Sequence, residues 1–103
     1  MAPSHAPLEA YAARLREALR EDVTAMFLFG SRATGAHRPD SDYDIAVFVR
    51  DDADLARLRR VASNTAYPFV LRGYDFRPVV LHHARRDERS QFLSHIKTVG
   101  RAL

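Results

Sequence analysis

Cysteine and tryptophan are both absent from the 103 residues. Without thiols the chain has no disulfide, no thiolate metal ligand and no cysteine nucleophile. Glycine (four) and proline (five) are too few and too scattered to form a flexible linker, and no segment repeats another or is of low complexity. No apolar run approaches the roughly 20 residues needed to span a bilayer. The N-terminus also lacks the basic stretch followed by an apolar stretch that marks a secretory signal. These absences predict a cytoplasmic protein that makes no use of a membrane. Lysine is nearly missing too: of the sixteen basic residues, all but Lys97 are arginine.

What is present is an ordinary globular composition, 47% hydrophobic and 28% charged, unlike the low-hydrophobicity, high-charge balance of disordered chains. A chain of this length buries roughly 65% of the surface it would expose unfolded, enough for one core and no second one. One domain over residues 1–103 is therefore expected. The net charge is +3, carried almost wholly by guanidinium groups, whose planar forks suit phosphates and carboxylates better than ammonium groups do. This is compatible with an anionic partner. It is equally compatible with genomic base composition, since alanine is abundant as well.

Hydrophobic spacing divides the chain into six elements. Leu8, Tyr11, Ala12, Leu15, Ala18 and Leu19 recur at three- and four-residue steps, predicting an amphipathic helix over residues 7–22 with Pro7 in its first turn. Thr24 to Phe29 is a short apolar run ended by Gly30 and reads as a buried strand. Tyr43 to Val49 is a second strand, apolar on both faces and so central in its sheet. Asp51, Asp52 and Asp54 offer a cap and first-turn charges for a helix carrying Leu55, Leu58, Val61 and Ala62. Asp75 to Leu81 is a third strand, and Pro78 within it, unable to donate to a ladder, predicts an edge position or a bulge. Phe92, Leu93, Ile96 and Val99 mark a closing helix that ends near Gly100. The order helix, strand, strand, helix, strand, helix predicts an α+β fold in which helices pack on a small mixed sheet. Tyr11, Phe27, Phe29, Phe48 and Phe92 are expected in its core.

The segment FGSRATGAHRPDSDYDIAVFV, from Phe29 to Val49, carries the chemistry. Its skeleton is Gly30-Ser31, ten residues, then Asp42-x-Asp44. Gly30 ends a strand where the backbone must bend sharply or approach a ligand closely. Ser31 then opens a short turn whose free N–H groups and hydroxyl can hold a phosphate. Asp42 and Asp44, two apart at the start of a strand, point to one face with Cα atoms about 6.5–7 Å apart. That reach suits one divalent cation or a close pair. Hard oxygen donors without His or Cys favour Mg²⁺ or Mn²⁺ over zinc. His82 and His83 after the third strand, and His95, show no helical pairing with a carboxylate that would make a metal site.

These residues resemble the Gly-Ser-x10-Asp-x-Asp signature of the DNA polymerase β-like nucleotidyltransferase superfamily, and within it the minimal (MNT-type) nucleotidyltransferase domains. The resemblance extends over the leading helix, the FLFGSRATG turn, the DSDYDIAVFV strand, a later strand opening at Asp75 and the closing FLSHIKTVGRAL segment. It implies a polymerase β-like palm and transfer of a nucleoside monophosphate from a nucleoside triphosphate to a hydroxyl, with release of pyrophosphate. Gly30 and Ser31 would hold phosphates, with Arg32 and Arg38 flanking them. Asp42 and Asp44 would bind the metal, and Asp75 matches the third carboxylate that helps activate the acceptor.

Domains of this kind are commonly encoded beside a helical HEPN-domain toxin. The resemblance therefore implies an antitoxin that uses ATP to adenylylate a tyrosine of that partner within a hetero-oligomer. A second reading is an antitoxin that neutralises by binding alone. A third is transfer to a small molecule, as in aminoglycoside-modifying relatives, although a cationic acceptor matches an arginine-rich surface poorly. No aromatic-basic stripe or RNA-binding module is present, so nucleic acid is not an expected partner.

Overall fold

The computed structural model describes residues 6–29, 42–87 and 100–103. Helix α1 spans Ala6–Leu19 and presents Leu8, Tyr11, Ala12, Leu15 and Leu19 to the interior. It begins one residue before Pro7, which suits a first-turn position because no intrahelical partner awaits its missing N–H. The helix does not run on to Asp22. It stops at Leu19, Arg20 takes a positive φ of 53°, and Arg20–Asp22 form a 3₁₀ turn leading into the first strand.

Strand β1 (Val23–Phe29) pairs antiparallel with β2 (Tyr43–Val49). After β2, Asp54 caps helix α2 (Leu55–Val70), its side chain accepting from the Arg57 N–H at 3.3 Å. The helix carries Pro68 in its last turn, and Gly73 at φ 96° turns the chain back. Strand β3 (Phe76–His82) then lies parallel to β2. A two-residue strand, β4 (Arg101–Ala102), pairs antiparallel with β1. The sheet order β3-β2-β1-β4 is mixed and puts β2 inside it, as its two apolar faces require. Pro78 lies on β3, an edge strand, and sits opposite Ile45 in an unbroken register. The edge position alone accommodates the missing donor; no bulge forms. The predicted helix around Phe92, Leu93, Ile96 and Val99 lies outside the described residues.

Strand alternation sorts the side chains into two layers. Met26, Leu28, Ile45, Val47, Val49, Phe76 and Val80 face α1 and α2, meeting Tyr11, Leu15, Leu58, Ala62 and Phe69 in the main core. The other face carries Phe29, Ala46, Phe48 and Leu81, with Ala25, Phe27 and Val79 beside them. Tyr11 is fully buried, and its hydroxyl donates to the Ala62 carbonyl of α2 at 3.0 Å. Burial holds that phenol well above its usual range, so it serves as a neutral donor between the two helices. No helix among the described residues is long and apolar enough to cross a membrane.

Candidate active site

Because β2 and β3 run parallel in register, their N-terminal ends lie side by side, with Tyr43 opposite Phe76 and Asp44 opposite Arg77. The Tyr43 N–H donates to the Asp75 carbonyl at 2.8 Å, tying the residue before β3 to the first residue of β2. Alternation then matters. Tyr43 and Phe76 turn toward the helices and pack edge to face, ring centroids 5.0 Å apart. Their neighbours Asp42, Asp44, Asp75 and Arg77 therefore belong to the opposite face, at one end of the sheet.

There Asp42 and Asp75 lie close enough to share one guanidinium, that of Arg77. Their shared hydrogen bond is the main influence on both groups, and it acts in opposite directions. It pushes the Asp42 carboxyl above the usual carboxylate range, aided by partial burial and by repulsion from Asp75 and Asp44, while Arg77 pulls the other way. It holds Asp75 below that range, aided by the Arg77 guanidinium. Arg77 bridges them: Nη1 lies 3.2 Å from Asp42 Oδ2 and Nη2 lies 3.1 Å from Asp75 Oδ2. Asp44, one step into β2, reaches the group electrostatically, repelling Asp42 and attracting Arg77.

Three carboxylates and one guanidinium leave the cluster with an excess of negative charge, and every acidic donor in it is an oxygen. This donor chemistry suits a hard divalent cation. Among the described residues, however, no three carboxyl or imidazole groups stand at the spacing of a complete metal shell. Asp42 and Asp75 come together, while Asp44 stands apart from the pair. Gly30, Ser31, Arg32 and Arg38, read from the sequence as the phosphate-holding turn, lie outside the described residues.

The histidines after β3 serve another purpose. His82 Nε2 lies 3.0 Å from the Ala53 carbonyl and His83 Nδ1 lies 2.8 Å from Thr24 Oγ1. Both bonds are at the far end of β3 from Asp75, and each ring is engaged by a neighbouring loop or strand. His95 lies outside the described residues. Arg77 is the site residue that the sequence reading did not single out. The signal available for it was its place two residues after Asp75, which on a strand puts both side chains on one face.

The comparisons with known proteins agree with this architecture. The family model described as Polymerase beta, Nucleotidyltransferase matches residues 14–102, and the chain belongs to that family. Among solved structures, a toxin-antitoxin with AMP-PNP is similar at a TM-score of 0.65 and 23% identity, over 91% of this chain and 70% of that one. A mutant of the toxin-antitoxin MntA-HpeT gives 0.64 and 22%, over 91% and 70%. A putative nucleotidyltransferase from Sulfolobus solfataricus gives 0.54 and 17%, over 99% and 89%. At these identities the likeness is one of fold: two helices on a four-stranded mixed sheet, as in polymerase β-like nucleotidyltransferases. No curated protein matches the sequence.

Proposed function

We propose that this chain transfers AMP from ATP to a hydroxyl, the acceptor being a tyrosine of a HEPN-domain toxin with which it forms a hetero-oligomer, and that it acts as the antitoxin. The observation that carries the reading is that Asp42 and Asp75, each just before one of two parallel strands, are brought to one guanidinium, in a chain whose family match runs from residue 14 to residue 102. Several structures of similar fold are of toxin-antitoxin pairs, one with AMP-PNP, which favours a nucleotide donor and a toxin partner here.

In this proposal Asp42, Asp44 and Asp75 hold Mg²⁺ or Mn²⁺, and Gly30, Ser31 and Arg32 hold the phosphates. The cation, when bound, neutralises charge on the phosphoryl oxygens and orients the triphosphate. Asp75, kept as a carboxylate by its neighbours, accepts the proton-bearing side of the acceptor hydroxyl and so aims its oxygen. That oxygen bonds to the α-phosphorus, the bond from the α-phosphorus to the β-phosphate oxygen breaks, and pyrophosphate leaves as the hydroxyl proton passes to the Asp75 carboxylate and from it to water.

The test mixes the purified chain with Mg²⁺, labelled ATP and the product of the adjacent gene. Label is expected on a tyrosine of that product. Asp42→Asn and Asp44→Asn should each remove at least about 99% of the transfer, in keeping with the loss of charged ligands to a catalytic cation. Absence of label with every nucleoside triphosphate would overturn the transfer. Full neutralisation of the toxin by the double Asn variant would instead assign the antitoxin effect to binding alone.

A further inference from the structure

We propose that Arg77 is a built-in competitor for the cation: its guanidinium clasps Asp42 and Asp75, and must let go of both before a divalent ion can take them. The inference rests on the metal-assisted reading above and concerns a residue to which neither that reading nor the sequence pattern gives a part.

Three observations carry it. The two guanidinium nitrogens each take a different carboxylate, one from the approach to β2 and one from the approach to β3. The oxygens engaged, Asp42 Oδ2 and Asp75 Oδ2, belong to carboxylates held near each other by the backbone bond from the Tyr43 N–H to the Asp75 carbonyl. Register also sets Arg77 directly opposite Asp44 on the neighbouring strand, so a third carboxylate draws the guanidinium to this end of the sheet. A planar fork spanning two carboxylates does electrostatically what a cation would do, relieving their repulsion with one positive charge instead of two.

The clasp is also of a kind that can open. The Arg77 side chain is 60% exposed, and the two aspartates are 38% and 44% exposed, so water screens the ion pairs and each is individually weak. Nothing in the core has to move for the guanidinium to swing away, because the strand beneath it is fixed by Phe76 on the opposite face. The consequence is a site whose carboxylates stay neutralised and aligned until an ion of higher charge displaces the arginine.

The experiment measures Mn²⁺ binding to the intact chain by electron paramagnetic resonance of the free ion, without nucleotide or acceptor. Arg77→Gln removes the charge while keeping a polar side chain, and should tighten Mn²⁺ by about fivefold, the equivalent of two screened ion pairs. Arg77→Lys keeps the charge but not the fork, and should fall between the Gln variant and the wild type. Thermal unfolding of each variant checks that the fold is intact. Weaker binding in Arg77→Gln would overturn the proposal and make Arg77 an organiser of the ligands. Unchanged affinity in both variants would overturn it as well. Wild-type protein that binds no Mn²⁺ would remove the metal-assisted reading itself, an outcome distinct from the other two.

Discussion

Two carboxyl groups that share one guanidinium can respond to pH in opposite senses, and Asp42 and Asp75 do so at the starts of adjacent strands. Asp42 has its folded-state pKa raised, chiefly by the bond to Asp75. Its contribution to stability is complete below the ordinary aspartate range and is lost as pH rises through the raised value. Asp75 has its pKa lowered, chiefly by the same bond and then by Arg77. Its contribution is present above the ordinary range and is lost as pH falls through the lowered value. At neutral pH the two carboxylates therefore act on stability in opposite senses, and weakly, because both are open to solvent. Asp42→Asn should leave the thermal midpoint at neutral pH no lower than in the wild type while abolishing transfer. Asp75→Asn should lower the midpoint as well as the activity. Melting curves of the two variants at neutral pH test the sign, and an Asp42→Asn midpoint below that of Asp75→Asn would contradict it.

At the scale of elements, caps and termini set where the site can form. Helix α2 must start promptly after β2 so that its far end can deliver the chain to β3, and Asp54 fixes that start by accepting from the Arg57 N–H. Asp22 adds a second tie, lying 3.2 Å from Arg50 and 3.3 Å from Arg57. Asp54→Ala should cost about 1 kcal/mol by loss of the cap, read as a shift in the denaturant midpoint at unchanged slope. This start, and strand β2 from Tyr43 to Val49, were legible in the sequence because each rests on local chemistry: an acidic cap before an apolar period, and a run of apolar residues on both faces. The edge position of β3 was legible from Pro78 for the same reason. Other features were hidden because they depend on partners distant in the chain. Strand β4 is two residues long and carries no period of its own; it exists through pairing with Phe27 and Leu28. Arg77 looks in isolation like one more exposed arginine beside a proline, and acquires its meaning from Asp42 and Asp44 more than thirty residues away. The 3₁₀ turn at Arg20 was masked by an apolar spacing that continued to Leu19 and by acidic residues compatible with either conformation.

Across the whole molecule, the link between core and site runs through Phe76, which stands in sequence between Asp75 and Arg77 and points the other way. Its ring stacks on Tyr11 of α1 at 5.0 Å, lies 5.4 Å from Phe69 of α2, meets Tyr43 of β2 at 5.0 Å and Tyr74 at 6.1 Å. Both helices and the two parallel strands thus converge on one side chain, and its backbone sets where the flanking aspartate and arginine stand. Phe76→Leu keeps the site apolar but removes the aromatic contacts, and should cost about 1–2 kcal/mol. Leu15→Ala, a truncation at a fully buried position on α1, should cost more, about 2–5 kcal/mol, while leaving the strand ends in register. If Phe76 positions the site, the milder variant will be the one with weakened Mn²⁺ binding and reduced transfer, measured well below the unfolding midpoint of each protein. Should activity instead follow stability, with Leu15→Ala the more impaired at equal folded fraction, the aromatic cluster holds the fold together without steering the carboxylates.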